Sequence, residues 1–187
     1  GSALANILGK YGIRTVALDR ETSAYNLPRA VMFDDEIMRI FQSMGLAKKI
    51  EGISEIGGGA KFLNADGATL VHWSRPETIS PNGWYVNYRF HQPDLEQILR
   101  EGYRRYPQII EKWGCEVTGV DQDQDGITLR YRKTPFTSEN SVRASYAIGC
   151  DGARSFIRSA INTEIDDLGF HEPWLVIDLL LNIPEKI

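Results

Sequence analysis

Cysteine is scarce in this sequence. Cys115 and Cys150 are the only two among 187 residues, too few for a disulfide framework. Histidine is nearly as rare: His72, His91 and His171 stand far apart with no Cys/His cluster, so no metal-ligand spacing is present and no metal is expected. An excess of charge of either sign is also lacking. Lys and Arg number 21 against 25 Asp and Glu, a net charge of −4, which gives no general basic field for nucleic acid or for an anionic membrane. No run of about 18 apolar residues occurs, which argues against a membrane span. The first residues show no signal-peptide pattern, and a reduced, cytoplasmic protein is the resulting expectation. Cys150 has no histidine near it in sequence and reads as a buried structural thiol. No protein nucleophile is visible elsewhere.

What is present is ordinary for a folded domain. Apolar residues make up 42% and charged residues 25%, and a chain of this length buries one core, or one domain and part of a second. Leu4, Ile7, Leu8 and Tyr11 fall on one helical face, and Gly12 follows as the stop. A buried-type strand, Ile13 to Asp19, comes directly after. Helix then strand reads as the second half of a β-α-β unit, with its first strand and glycine-rich turn expected ahead of residue 1. A second helix takes Asp34 or Asp35 as cap, with Ile37, Ile40, Phe41 and Met44 on one face and Gly45 as its end. Residues 60–64 and 69–73 form a hairpin around Asp66-Gly67. Trp73, Trp84, Tyr85 and Tyr88 either line an aromatic pocket or pack as a core face. Pro93 opens a further helix with Leu95, Ile98, Leu99, Gly102 and Tyr103 together. Strands at 115–122, 126–132 and 142–149 then make a meander, with Asp125-Gly126 as its first turn.

Three places carry chemistry. Tyr146 to Arg158 reads as a strand end, an Asp-Gly turn and a helix start with Arg154 and Arg158 one turn apart. Gly152 accepts a positive φ and lets a ligand approach the backbone; the new helix favours an anion at its start. Asp151 there accepts from a sugar hydroxyl, or simply caps an ordinary strand-turn-helix. Asp19 ends a strand where dinucleotide folds hold ribose hydroxyls. Gln92, just before the Pro93 helix, both donates and accepts, toward a ligand or as a cap.

In this order, the Asp19 strand, Asn26-Leu27-Pro28-Arg29-Ala30, Phe90-His91-Gln92-Pro93-Asp94-Leu95 and the Asp151 turn resemble the aromatic-ring hydroxylases, FAD-dependent monooxygenases that use NAD(P)H. The likeness is greatest to the 3-(3-hydroxyphenyl)propionate hydroxylase type and extends through Gly169 to Leu175. It implies an α/β fold: a Rossmann-like, p-hydroxybenzoate-hydroxylase-like FAD-binding domain, lacking its first strand, with part of a β-rich substrate domain. Residues 1–56 and 91–165 would be the two parts of the FAD-binding domain. Residues 57–90 would begin the substrate-domain sheet, and 166–187, with a β-rich run from Trp174 to Ile183, would add a strand to it. The resemblance assigns FAD to Asp19, Arg20, Arg29, Gln92, Asp151 and Gly152, and a nicotinamide-cofactor contact to Arg158; Asp19 stands where many relatives have Glu. It implies a small phenolic substrate, O₂, and NADH or NADPH as co-substrate, with the flavin and no side chain as the catalytic group. An epoxidase or reductase of the same superfold and a non-catalytic binding module stay open beside it. The chain reads as a piece truncated at both ends, expected to be inactive and to hold FAD weakly or not at all. It is expected to form homo-oligomers through an exposed sheet edge.

Overall fold

The computed structural model describes residues 1–24, 29–135, 138–175 and 177. Two helix-strand units stand side by side. Helix α1 (Ser2–Lys10) leads into strand β1 (Thr15–Asp19), and α4 (Gln92–Tyr103) leads into β7 (Ile109–Trp113). The two strands pair in parallel, with Thr15 opposite Ile109 and Asp19 opposite Trp113, while α1 packs against α4. Glycine closes α1 as the sequence indicates. Gly12 takes φ +73°, its N–H reaches the Gly9 carbonyl and that of Ile13 reaches Leu8, both at 3.0 Å. This double bond pattern satisfies carbonyls that the helix end leaves open.

The buried face of α1 differs from the apolar stripe. Ala5, Asn6 and Gly9 are the buried positions, whereas Tyr11 is 72% exposed. The reason is close approach to α4: small residues let two helix backbones meet, and long ones do not. Asn6 Nδ2 donates to the Leu99 carbonyl at 2.7 Å and to that of Ser2 at 2.9 Å. β1 is half-buried along its length rather than enclosed, because among the described residues only β7 pairs with it.

Between the two units runs the main core. After β2 (Met32–Phe33), helix α2 (Asp35–Ser43) is capped by Asp34, whose Oδ1 accepts from the Ile37 N–H at 3.0 Å. Its buried residues are Met38, Phe41 and, at the cap, Met44; Ile37 and Ile40 lie exposed, so its buried stripe too is rotated from the one expected. Short α3 (Ala47–Glu51) and β3 (Ser54–Ile56) follow. β6 (Tyr88–Phe90) lies between β2 and β3, antiparallel to both. Tyr88, Phe33, Met38, Phe41, Leu46, Ile50, Leu95 and Leu99 form one apolar cluster. Tyr88 and Phe33 stack at 5.1 Å, so the aromatic run contributes to core packing at Tyr88, while Trp73 is 49% exposed. Asp35 Oδ2 accepts from Ser80 Oγ and Asn82 Nδ2, each at 2.6 Å. Those bonds, the serine's first, hold its carboxyl below the usual range and tie the 80–82 turn to α2.

Two further β units project from this body: the hairpin of β4 (Gly59–Leu63) with β5 (Thr69–Ser74), and the meander of β8 (Cys115–Asp123), β9 (Gly126–Lys133) and β10 (Glu139–Ala144). β10 stops at Ala144, earlier than the sequence indicates. Residues 146–150 lie outside any strand, since a strand needs a hydrogen-bonded neighbour and none is present among the described residues; Cys150, expected as a buried thiol, is exposed for the same reason. The run from Trp174 to Ile183 lies largely outside the described residues; Trp174 is 90% exposed.

The meander carries a titration that tests its geometry. Arg143 grips Asp123 with two bonds, Nη1 to Oδ2 at 2.9 Å and Nη2 to Oδ1 at 2.7 Å. Arg143 first, and then the Asp125 N–H, hold the Asp123 carboxyl at about 2. A carboxyl depressed in the folded state adds stability above its unfolded value, near 3.9, and loses that contribution as pH falls toward 2. Carboxyl-carbon NMR is expected to place the Asp123 midpoint near 2 in the native chain, with Arg143→Met moving it up toward about 3.9. A midpoint unchanged by that substitution would show that the fork does not persist in solution.

Candidate functional site

Residues singled out in the sequence gather in three small groups. Asp19 ends β1. Its Oδ1 accepts from the Glu21 N–H at 3.0 Å and its Oδ2 from Arg100 Nη2 at 3.0 Å. Arg20, next in the chain, is exposed and lies 3.5 Å from Glu21.

The second group joins Arg29 to Gln92. Gln92 Oε1 accepts the backbone N–H of Arg29 at 2.5 Å and that of Ala30 at 2.9 Å. Gln92 is the first residue of α4, and His91 holds the cap position. Its carbonyl therefore caps a loop 62 to 63 residues away rather than its own helix. Asn26, Leu27 and Pro28, the start of this motif, lie outside the described residues.

The third group is the Asp-Gly turn. Gly152 takes φ +78° with open space where a Cβ would sit. Asp151 Oδ1 accepts from Ser155 Oγ at 2.5 Å and its Oδ2 from the Ile157 N–H at 3.1 Å. Burial opposes its ionisation, yet the serine hydroxyl and the helix amides outweigh burial and hold the carboxyl below the usual range. Helix α5 (Phe156–Ala160) begins here, capped by Ser155, and Arg158 Nη2 reaches back to the Ala153 carbonyl at 2.8 Å. In this structure Asp151 and Arg158 brace the turn itself.

The start of α1 links the first and third groups. A methyl built on Gly1 would meet Cys150 Cβ at 3.8 Å, so the residue before Asp151 sits against that helix start. Ser2 Oγ donates to Glu96 Oε2 at 3.0 Å. Glu96 Oε1 lies 2.9 Å from Arg100 Nε, and Arg100 reaches Asp19. Gln92 is one turn before Glu96 on α4. Asp19, the first turn of α1, the N-terminal turn of α4 and the Asp-Gly turn thus form one linked region of the molecule. Sequence reading missed Ser2, Glu96 and Arg100; the signal available was the Glu96/Arg100 spacing of four on one helix face.

The donor and acceptor set of this region fits a dinucleotide. α2 and α5 are each capped by a side chain, whereas α1, α3 and α4 are not, and α1 has no acid in its first turn. An anion such as a pyrophosphate suits a helix start of that kind, and in this region it is linked to the Asp19 carboxylate and to the Asp-Gly turn. A cleft of about 500 Å³ lies beside Glu111, Trp113, Gly114, Cys115 and Tyr131; none of the residues assigned to FAD by resemblance lines it. Among the described residues no group of three His, Cys, Asp or Glu is placed to hold a metal, and no helix is long and apolar enough to cross a membrane.

Comparison with known proteins adds to this geometry. The profile of the FAD binding domain family matches residues 1–185. A probable NADH-specific resorcinol 4-hydroxylase of Rhodococcus jostii (strain RHA1) is 40% identical over 185 residues, covering 97% of this chain and 34% of that protein. A 3-(3-hydroxy-phenyl)propionate/3-hydroxycinnamic acid hydroxylase of Paraburkholderia xenovorans (strain LB400) is 32% identical over 183 residues, covering 96% and 28%. The crystal structure of a p-nitrophenol 4-monooxygenase from Pseudomonas putida DLL-E4 shares the fold, with a TM-score of 0.77 at 24% identity over 86% of this chain and 40% of that one. The chain spans about a third of the length of these curated relatives.

Proposed function

This chain belongs to the FAD binding domain family, and we propose that it is the flavin-holding part of an aromatic-ring hydroxylase. The observation that carries the reading is the linked region that joins Asp19, the first turn of α1, the N-terminal turn of α4 and the Asp-Gly turn. In it, Asp19 accepts from the adenosine ribose hydroxyls, and the first amides of α1 take the pyrophosphate. Gln92, whose carbonyl holds the Arg29–Ala30 loop, turns its N–H donors toward the ribityl side, with Arg29 beside it. Gly152 leaves backbone room near the phosphates, and Asp151 keeps that turn in shape. The redox chemistry, hydride uptake from NADH or NADPH and oxygen transfer from O₂ to a phenolic ring, is what FAD supplies when bound. The chain's residues contribute binding and orientation, and none acts as a nucleophile. The names of the relatives, a resorcinol and a hydroxyphenylpropionate hydroxylase, support a small phenol as substrate of the whole protein.

The test is an equilibrium titration of FAD into the 187-residue chain, read by flavin fluorescence, followed by absorbance after desalting. A saturable one-to-one titration is expected, with the flavin bands fading on desalting because the hold is weak. Fluorescence that never saturates overturns the assignment of these residues to the cofactor.

A further inference from the structure

We propose that Arg100, which no motif reading assigned, is the positioning residue of this site: it acts through Asp19 to set how tightly the adenosine end of the flavin is held. The inference rests on the reading of Asp19 given above. Two hydrogen bonds, one ion pair without hydrogen-bond alignment and one ring contact surround the guanidinium. Nη2 donates to Asp19 Oδ2 at 3.0 Å, Nη1 reaches Glu111 Oε1 at 3.4 Å, Nε lies 2.9 Å from Glu96 Oε1, and the group sits 3.7 Å over the Trp113 ring. Its side chain is 13% exposed, against 36% for Asp19. The arginine is thus the inner partner and the carboxylate the outer one.

The consequence follows from counting acceptor sites. A carboxylate offers about four lone-pair positions. Arg100 occupies one on Oδ2 and the Glu21 N–H one on Oδ1, which fixes the rotamer and leaves one position on each oxygen. Two acceptors of fixed spacing suit a vicinal diol, the pair of hydroxyls a ribose presents. Without Arg100, Asp19 and Glu96 would lose their shared cation, while Glu111 keeps its two bonds from Arg104, and Asp19, the more exposed of the two, would turn away. The planar fork matters as well as the charge. A lysine cannot bond Asp19 and Glu111 and lie flat on Trp113 at once. Glu96 also receives the Ser2 hydroxyl, so the same cation ties the anion-facing start of α1 to the diol-facing acid.

The experiment is the FAD titration repeated on Asp19→Asn, Arg100→Met, Arg100→Lys and the Asp19→Asn/Arg100→Met double variant, with far-UV circular dichroism as the check on folding. Losing one charge-assisted bond is expected to weaken FAD about tenfold in each single variant. Arg100→Lys should fall between Arg100→Met and the unsubstituted chain. The double variant should be no weaker than either single one, because both changes remove the same contact to the ribose. A merely structural arginine would instead give losses that multiply, to about a hundredfold, and that result overturns the proposal. So does an Arg100→Met chain that binds FAD as the unsubstituted one does. If Arg100→Met fails to fold, Arg100→Lys and its double with Asp19→Asn carry the same comparison. Failure of the parent reading looks different: Asp19→Asn then leaves FAD affinity unchanged, or the unsubstituted chain shows no saturation, and the Arg100 inference falls with it.

Discussion

Replacing Tyr88 by alanine is expected to cost about 3–5 kcal/mol, the range for emptying a buried aromatic site. Tyr88 is 1% exposed and stands on β6, the middle strand of its sheet. Its ring stacks on Phe33 at 5.1 Å and meets Tyr85 edge-on at 6.3 Å. Alanine would open a cavity facing β2 from one side and α2 from the other, and the two cannot collapse onto it together. Small domains hold about 5–15 kcal/mol in total, so the variant should lie near its unfolding limit. Urea unfolding followed by circular dichroism measures the loss. Tyr88→Phe is the companion: it keeps the ring and removes only the oxygen that accepts from the Tyr85 N–H at 3.2 Å, a change of about 1 kcal/mol. A Tyr88→Ala loss as small as that would mean that the Phe33–Tyr88 stack is not the centre of the core. A second consequence reaches the site. β2 lies just after the Arg29–Ala30 loop that Gln92 holds, and the Phe90 N–H on β6 binds the Val31 carbonyl at 3.0 Å. Loosening β6 therefore loosens the approach to Gln92.

How legible all this was depended on the kind of force involved. Local signals survived well: Gly12, Gly45, Asp34, Pro93 and Asp125-Gly126 mark element ends because each supplies a φ, a cap or a missing donor that the backbone needs at that point. The rotation of a helix about its axis was less legible. On α2 the apolar residues Ile37, Met38, Ile40, Phe41 and Met44 run more than halfway round, and periodicity alone picked Ile37 and Ile40 where the fold buries Met38. On α1 the buried face is defined by smallness, at Ala5 and Gly9, which a hydrophobic stripe does not report. Residues 146–150 have strand composition, but a strand is a property of a pair, and composition carries no partner. Arg100 was passed over for a related reason: a cation on a helix reads as solvated, and only the tertiary arrangement brings Asp19, Glu96, Glu111 and Trp113 around it. The Asp151 turn was legible as a turn, and both readings of its acid were open; the fold shows the capping bonds to Ser155 and Ile157 directly.

Gly102→Ala is expected to destabilise the chain by about 2–3 kcal/mol, although alanine is the better helix former by about 1 kcal/mol. A Cβ at position 102 would lie 2.4 Å from Asn6 Oδ1 and 2.8 Å from Leu46 Cδ1. The sign depends on whether Asn6 can yield. It is fully buried, and its Nδ2 is held by the Leu99 and Ser2 carbonyls, so moving it breaks bonds that water cannot replace, at about 1–3 kcal/mol. Overpacking of this kind costs about 1–3 kcal/mol, and the two together exceed the gain in helix propensity. Gly9→Ala is the contrasting case. Its Cβ would meet the near end of Tyr106, with Cγ at 2.7 Å and Cβ at 3.0 Å. The half-buried ring can turn aside but the tyrosine Cβ moves only with the backbone, so a loss is expected here too, without a broken buried amide to add to it. The decisive measurement is a double-mutant cycle by chemical denaturation. With Asn6→Ala already in place, Gly102→Ala should cost less than it does alone, because the obstructing amide is gone. Equal costs in both backgrounds would mean that Leu46 or the backbone, and not Asn6, sets the spacing of α1 and α4. That spacing bears on the cofactor: α1 carries Ser2 and its open amides, α4 carries Gln92, Glu96 and Arg100, and Asn6 against Gly102 fixes one helix on the other. Gly102→Ala should therefore weaken FAD in the titration even under conditions where the chain remains folded, whereas Gly9→Ala should leave it nearly unchanged.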